Sequence, residues 1–166
     1  MESSTTSDVK KRLKIWYDSP YRFVTQALEV TPEDWQRKAM LAIKNNDRVA
    51  VKSGHGVGKS ALESWIILWW LLTRYPAKVA CTAPTGHQLS DVLWGEIAKW
   101  YRKLPPGLKS LLAVKNDRVE LVSAPSESFA VARTARKETP EAFQGFHSEN
   151  MLFMVDEASG IEPIIF

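Results

Sequence analysis

The sequence predicts an α/β fold with three layers around a mainly parallel sheet, and three observations support this prediction. Strand-like and helix-like segments alternate over residues 47–104, which is the order that parallel strands joined by crossover helices require. A glycine-rich segment lies between the first of these strands and the helix that follows it. Further along, an apolar run at residues 151–155 ends in two carboxylates.

The composition is that of an ordinary soluble protein, with 45% hydrophobic and 25% charged residues in a chain of 166. A net charge of +3 permits contact with nucleic acid but does not require it. The single cysteine, Cys81, excludes an intramolecular disulfide and a zinc site built from several cysteines. Because it stands in an apolar run, we expect it to be a buried strand residue.

The chain shows no sign of export or of membrane insertion. Its first residues contain no apolar stretch of the kind that a secretory signal needs. The longest apolar run, residues 65–72, is far shorter than the roughly 20 residues that span a bilayer. We therefore expect a cytoplasmic protein, in the host cell if a phage encodes it, with no membrane partner.

Two units are predicted: an N-terminal tail with a short helix at 1–30, and a main domain at 31–166. The first seven residues are polar and are expected to be disordered. The short helix has four basic residues, which form either a solvated face or a DNA contact; they are Lys10, Lys11, Arg12 and Lys14. In the main domain Thr31 is expected to cap a helix at 32–44, with Pro32 in its first turn.

The remaining elements follow from hydrophobic pattern and turn residues. Strands are predicted at 47–52 and 77–83, and helices at 59–74 and 87–104. A hairpin turn is expected at Asn116-Asp117, and another strand at 129–132. Residues 133–150 are polar and loop-like. The apolar run at 151–155 is predicted to be a strand that is buried on both faces.

The glycine-rich segment, SGHGVGKS, has the features of a phosphate-binding loop. Its residues are Ser53, Gly54, His55, Gly56, Val57, Gly58, Lys59 and Ser60. It follows a predicted strand and opens a predicted helix, so backbone N–H groups and the helix N-terminus would face an anion. Lys59 would then reach the β- and γ-phosphates of ATP, and the Ser60 hydroxyl would ligate Mg²⁺.

The segment departs from the usual phosphate-loop pattern at one position, but two other interpretations of it are weaker. The usual phosphate-loop pattern begins with glycine, and Ser53 departs from it, although the extra glycines at 54 and 56 supply flexibility. A dinucleotide-binding turn needs wider glycine spacing and has no use for the adjacent Lys59 and Ser60. A plain glycine-rich turn would leave the lysine without a role.

The two carboxylates after the late apolar run complete a nucleotide site of the P-loop NTPase class. Asp156 is expected to hold Mg²⁺, and Glu157 to act as the general base on the attacking water. A strand followed by Asp-Glu is common, and the alternative is a solvated turn. Together with the phosphate loop, the pair predicts an ATPase of the ASCE/RecA-like group, with a core that is incomplete at its C-terminal end.

Three segments resemble phage terminase large subunits, which are DNA-packaging ATPases with a nuclease domain behind the motor. They are SGHGVGKS, TAPTGHQLSDVLWGEI and FQGFHSENMLFMVDEASGIEP, and the resemblance runs from about Trp35 to the last residue. It implies that the chain is the ATP-hydrolysing motor core of a large terminase. The partners it implies are double-stranded DNA, the portal protein, the small terminase subunit and other copies in a ring.

The resemblance also suggests roles for single residues. Gln36, which follows a tryptophan ahead of the loop, would read the adenine edge; the alternative is an ordinary residue on a helix surface. Many members carry an arginine inside the loop where this chain has His55, so the charge of Arg133 or Arg136 could replace it. His87 and His147 lack metal-ligand spacing and are expected to have structural hydrogen-bonding roles.

Some of the family's parts are missing from this sequence, which suggests a truncated or split product with weak turnover. It contains neither the coupling element that follows the acidic strand nor the nuclease cluster. Two other functions remain open. One is a helicase-type DNA-dependent ATPase, since Ala-Pro-Thr and Asp-Glu-Ala also occur there. The other is a remnant that binds nucleotide or a partner without catalysis.

Overall fold

The computed structural model describes residues 2–52, 54, 58–134 and 146–156, with six α-helices, a π-helical turn and five strands among them. The α-helices are α1 Glu2–Asp18, α2 Pro20–Ala27, α3 Asp34–Asn45, α4 Lys59–Thr73, α5 Trp94–Lys103 and α6 Pro106–Lys109. The strands are β1 Ala77–Thr82, β2 Leu112–Val114, β3 Arg118–Leu121, β4 Phe129–Ala132 and β5 Asn150–Val155. The π-helical turn, Gln88–Leu93, runs directly into α5.

The five strands form one sheet in the order β2-β3-β4-β1-β5. Strand β1 pairs in parallel with β4 and with β5, whereas the β2–β3 and β3–β4 pairs are antiparallel. The prediction of a mainly parallel sheet is therefore wrong for the described strands, which form a mixed sheet. The reason is the predicted hairpin, which adds its two strands beside β4 in the antiparallel sense.

The core lies between the helices and one face of the sheet. Helix α4 is apolar on nearly all sides, and Trp69, Ile67 and Leu68 are fully buried on it. Alternate residues of β1, including Val79 and Cys81, belong to the same hydrophobic cluster. Burial of this helix on several sides is what its almost continuous apolar sequence requires.

The first two helices share this core. Trp16 of α1 packs edge-on against Phe23 of α2, with ring centroids 5.8 Å apart. The indole N–H of Trp69 donates to the Trp16 carbonyl at 2.5 Å, which ties α1 to α4. The prediction that the first seven residues are disordered is wrong for residues 2–7, because α1 begins at Glu2.

Helix α2 was not predicted, although its start has a recognisable signal. Ser19 is its N-cap and accepts a hydrogen bond from the Arg22 N–H at 3.2 Å, and Pro20 stands in the first turn. The next helix, α3, begins later than expected. Its N-cap is Glu33 rather than Thr31, because the Glu33 and Gln36 side chains form a reciprocal capping box.

Two strand predictions need correction. Residues 47–52 form no strand in the structure and are exposed, because a strand needs a hydrogen-bonding neighbour and none of the described strands pairs with this segment. The apolar run at 150–155 does form a strand, but β5 lies at the edge of the sheet and is only partly buried. Its Phe153 side chain is 56% exposed.

The described helices include none long and apolar enough to cross a membrane. The predicted helix at 87–104 is helical throughout 88–103, but its first part is a π-helical turn. Cys81 is fully buried in β1, as predicted.

Candidate nucleotide-binding site

The N-terminus of α4 begins where the glycine-rich segment ends. Gly58 is the N-cap of this helix and has a left-handed conformation with φ of +85°, which favours glycine. Its carbonyl accepts the Leu62 N–H at 3.1 Å, the first hydrogen bond of the helix. Lys59 and Ser60 stand in the first turn and are half-buried. The first turn of a helix has N–H groups without intrahelical partners, so it suits an anion.

Part of the predicted phosphate loop lies outside the described residues. These outlying positions are Ser53, His55, Gly56 and Val57. Gly54 is exposed, and a Cβ added to it would meet no atom within 4 Å. The geometry of the site is therefore argued from Gly58, Lys59 and Ser60.

The structure places Gln36 directly against the end of this loop. Its side-chain N–H donates to the Gly58 carbonyl at 3.2 Å, and its side-chain oxygen accepts the Glu33 backbone N–H at 2.9 Å. The residue is only 5% exposed. The alternative of an ordinary helix-surface residue is therefore wrong, because both ends of the amide are used inside the protein. Adenine contact stays a prediction.

The acidic strand ends beside β1 at the carboxyl edge of the parallel part of the sheet. Thr82 pairs with Val155 in register, and the Asp156 N–H donates to the Thr82 carbonyl at 2.9 Å. Asp156 therefore stands at the tip of β5, half-buried. Glu157, the predicted general base, lies outside the described residues.

Chain direction places the start of α4 at this same edge. Helix α4 packs against β1, and only residues 74–76 separate the end of the helix from the start of the strand, so the helix begins where the strand ends. Burial raises the pKa of the Cys81 thiol, and the negative charge of Glu63 adds to the rise. Glu63 is one turn after Lys59 on α4, and Cys81 is next to Thr82 on β1. The helix start and the tip of β5 therefore both lie at the carboxyl end of β1.

The donor set at this edge fits Mg²⁺ carried by a nucleotide. Magnesium prefers oxygen ligands and usually takes one or two from the protein, with the rest from phosphates and water. Ser60 and Asp156 offer a hydroxyl and a carboxylate from the two elements that meet here. The hydroxyl of Thr82 is buried, and among the described atoms it has no hydrogen-bond partner, which suits a polar ligand nearby. Within the described ranges, no group of three or more His, Cys, Asp or Glu forms a metal site.

The other predicted polar residues occupy different surroundings. Arg133 follows β4 and is exposed; its N–H donates to the Cys81 carbonyl at 2.9 Å, and its guanidinium lies 6.0 Å from the Phe146 ring. His87 is 2.5 Å from the Asp91 carboxylate, the structural role expected of it. His147 is exposed, and Arg136 lies outside the described residues.

Sequence reasoning missed the contact between Gln36 and Gly58, which lie 22 residues apart. A signal for it existed in part: glutamine three residues after an N-cap is typical of a capping box, which orients the side chain toward the helix start. That the loop's last glycine comes to the same place depends on tertiary packing, because α3 and α4 both pack against α2.

Comparison with known proteins agrees with the resemblance found in the sequence. The chain is 26% identical over 137 residues to a probable terminase large subunit of Enterobacteria phage P7, covering 80% of this chain and 28% of that protein. No protein-family model matches. The resemblance to a terminase large subunit is thus confirmed, for a region that spans less than a third of that relative.

Two solved structures share the fold. The chain is similar to the HK97 bacteriophage large terminase, with a TM-score of 0.56 and 13% identity, over 76% of this chain and 33% of that one. It is also similar to the large terminase ATPase domain of Thermus phage P74-26, with a TM-score of 0.58 and 21% identity, over 87% of this chain and 60% of that one. The mixed α/β fold with a five-stranded sheet is therefore that of phage terminase ATPase domains.

Proposed function

We propose that this chain is the ATP-binding and ATP-hydrolysing motor core of a phage large terminase, a P-loop ATPase that drives the packaging of double-stranded DNA. The observation that carries the proposal is that two elements lie at the same end of β1. One is the start of α4, with Lys59 after a left-handed glycine, and the other is the tip of β5, with Asp156. The similarity to a probable terminase large subunit and to a terminase ATPase domain supports it.

Each residue at this edge receives a role from its chemistry. The first-turn N–H groups of α4 and the Lys59 ammonium bind the phosphates, since both carry positive charge to one point. Ser60 and Asp156 would hold Mg²⁺, which when bound neutralises phosphate charge. Glu157 accepts the proton of the attacking water. Gly58 allows the tight approach of the backbone that the phosphates need.

The charge that stabilises the transition state needs a source other than an arginine in the loop, since His55 stands there. An imidazole is a weaker source of positive charge than a guanidinium. We assign this role to Arg133 or Arg136. Arg133 is exposed beyond β4, where another molecule could reach it.

The partners belong to the same proposal. Double-stranded DNA is the load of the motor, and the portal protein and small terminase subunit are its neighbours. Other copies of the chain form a ring around the DNA. The surface suited to DNA includes the basic residues of α1, which are exposed and, within the part of the chain that the structure describes, have no ion-pair partner. They are Lys10, Lys11, Arg12 and Lys14.

The test is the affinity of the purified chain for a fluorescent ATP analogue with Mg²⁺, beside the variant Lys59→Ala. Removing a charged donor to phosphate should weaken binding by about a hundredfold. The matched control is Lys38→Ala, which removes the same charge from the exposed surface of α3 and should leave the affinity unchanged. A folded Lys59→Ala variant that binds as well as the unaltered chain would contradict the proposal.

A further inference from the structure

The amide of Gln36 is committed at both ends to the protein. Its oxygen accepts the Glu33 backbone N–H at 2.9 Å and its nitrogen donates to the Gly58 carbonyl at 3.2 Å. Only 5% of the residue is exposed, so little of the amide reaches the surface. Recognition of an adenine edge by glutamine needs the donor and the acceptor together, in one plane. To read a base, Gln36 would have to use its second N–H and the second lone pair of its oxygen, and its burial leaves little access to them.

The bond to Gly58 falls at a sensitive point of the phosphate loop. Gly58 directly precedes Lys59, and its carbonyl also accepts the first helical hydrogen bond of α4, from Leu62. A Cβ added to Gly58 would lie 3.0 Å from the Gln36 side-chain nitrogen, so the amide fills the space beside the loop. The direction of the Gly58 carbonyl sets how the backbone enters α4, and with it where the Lys59 side chain begins.

We propose that Gln36 is a positioning residue that fixes the end of the phosphate loop through Gly58 and does not read the nucleobase. The inference rests on the proposed function, since it concerns the same nucleotide site. In this role Gln36 affects the affinity for the phosphate groups and not the affinity for the base. Loss of the side-chain donor therefore weakens the binding of every triphosphate by the same factor, whatever base is attached.

Two variants separate this role from the helix cap. Gln36→Met has a similar length, is neutral and lacks the donor. Gln36→Glu also lacks the donor but keeps an oxygen to accept the Glu33 N–H, and glutamate suits this capping position. The matched control, Glu33→Ala, removes the other half of the capping box and keeps both Gln36 bonds.

The measurement is the affinity for Mg-ATP, Mg-GTP and inorganic tripolyphosphate, with folding checked by circular dichroism. Both Gln36 variants should lose about tenfold in affinity for all three ligands, with the ratio of ATP to GTP affinity unchanged. Glu33→Ala should bind all three like the unaltered chain.

Two results would overturn the inference. A loss for ATP that exceeds the loss for tripolyphosphate would mean that Gln36 reads the base. Unchanged affinities in folded variants would mean that it serves only as a helix cap. Either result leaves the proposed function standing as long as Lys59→Ala weakens binding as expected, so the two failures are distinguishable.

Discussion

Strands β1 and β5 are neighbours of equal length and similar apolar composition, yet they differ in burial. Five of the six β1 residues are buried, whereas none of the six β5 residues is. The cause is their position among the described strands, since β1 has a strand on each side and α4 over one face, while β5 has only β1 beside it there. An apolar strand therefore becomes a core strand only through its neighbours.

The difference matters because Asp156, the proposed Mg²⁺ ligand, follows the less buried strand. Strand β5 pairs with β1 along its full length, and Asp156 comes directly after it. The Asn150 side chain donates to the Pro76 carbonyl at 2.9 Å at one end, and the Asp156 N–H donates to Thr82 at the other. Helix α4 and β1 thus form the more buried part of the molecule, and β5 pairs with the edge of β1 beside them.

The largest expected difference between the two strands is in thiol reactivity. Burial, and then the charge of Glu63, raise the pKa of Cys81, and burial also blocks access. Both effects slow reaction with a thiol reagent, because the thiolate is the reactive form. We expect native Cys81 to react at least about a thousandfold more slowly than in the unfolded chain.

The matching measurement places the cysteine on β5. In the double variant Cys81→Ala, Phe153→Cys the new thiol takes the place of a side chain that is 56% exposed. It should react within about tenfold of the unfolded rate. The reaction is monitored by the absorbance of the product that the thiol reagent releases. Equal reaction rates at both positions would show that β5 is as buried as β1.

A smaller difference is expected in the free energy of unfolding. Val79 and Leu152 are register partners, and both belong to the face that packs against the helices. Val79→Ala should cost about 2 kcal/mol, because Val79 is fully buried, and Leu152→Ala only about 1 kcal/mol although it removes more atoms. Urea denaturation measures both. A larger cost for Leu152→Ala would contradict the ranking of the strands.

The smallest effect is expected at the exposed aromatic of β5. Phe153→Thr keeps good strand propensity and should change the free energy of unfolding by less than about 0.5 kcal/mol. The contrasting variant is Phe129→Thr on β4. Phe129 is only 9% exposed, so this substitution should lower the free energy of unfolding by about 3 kcal/mol. Chemical denaturation of the two side by side tests whether exposure decides the cost.

Several elements could be predicted from the sequence because their signals are local. The helix at 59–73, the strand at 77–82 and the strand at 129–132 all lie within a residue or two of the predicted bounds. Their ends coincide with glycine or proline, or with a change in hydrophobic pattern. Residues 47–52 have an equally good strand pattern, but a strand exists only with a partner, and pairing is not a local property.

The candidate site divides in the same way. Lys59, Ser60 and Asp156 could be proposed from the sequence, because the phosphate-loop pattern is recognisable by itself and gives the acidic strand tip its meaning. That they meet at one end of β1 depends on the sheet order. The burial of Gln36 depends on how α3 packs, so the sequence offered only a base-reading role or a surface role, and the observed bond to Gly58 was neither.

Helix α4 is connected mechanically to α1 by the hydrogen bond between Trp69 and Trp16. It is a nearly rigid rod of 15 residues, about 22 Å long, with the phosphate loop at one end. Near the other end the Trp69 indole is bonded to α1, and Arg74 just beyond the helix stacks on Trp69, Trp70 and Tyr17. On the proposed function, a tilt of this rod at its phosphate end would displace the N-terminal helices at the other end. Tryptophan fluorescence at that far end would then report on the nucleotide without a label.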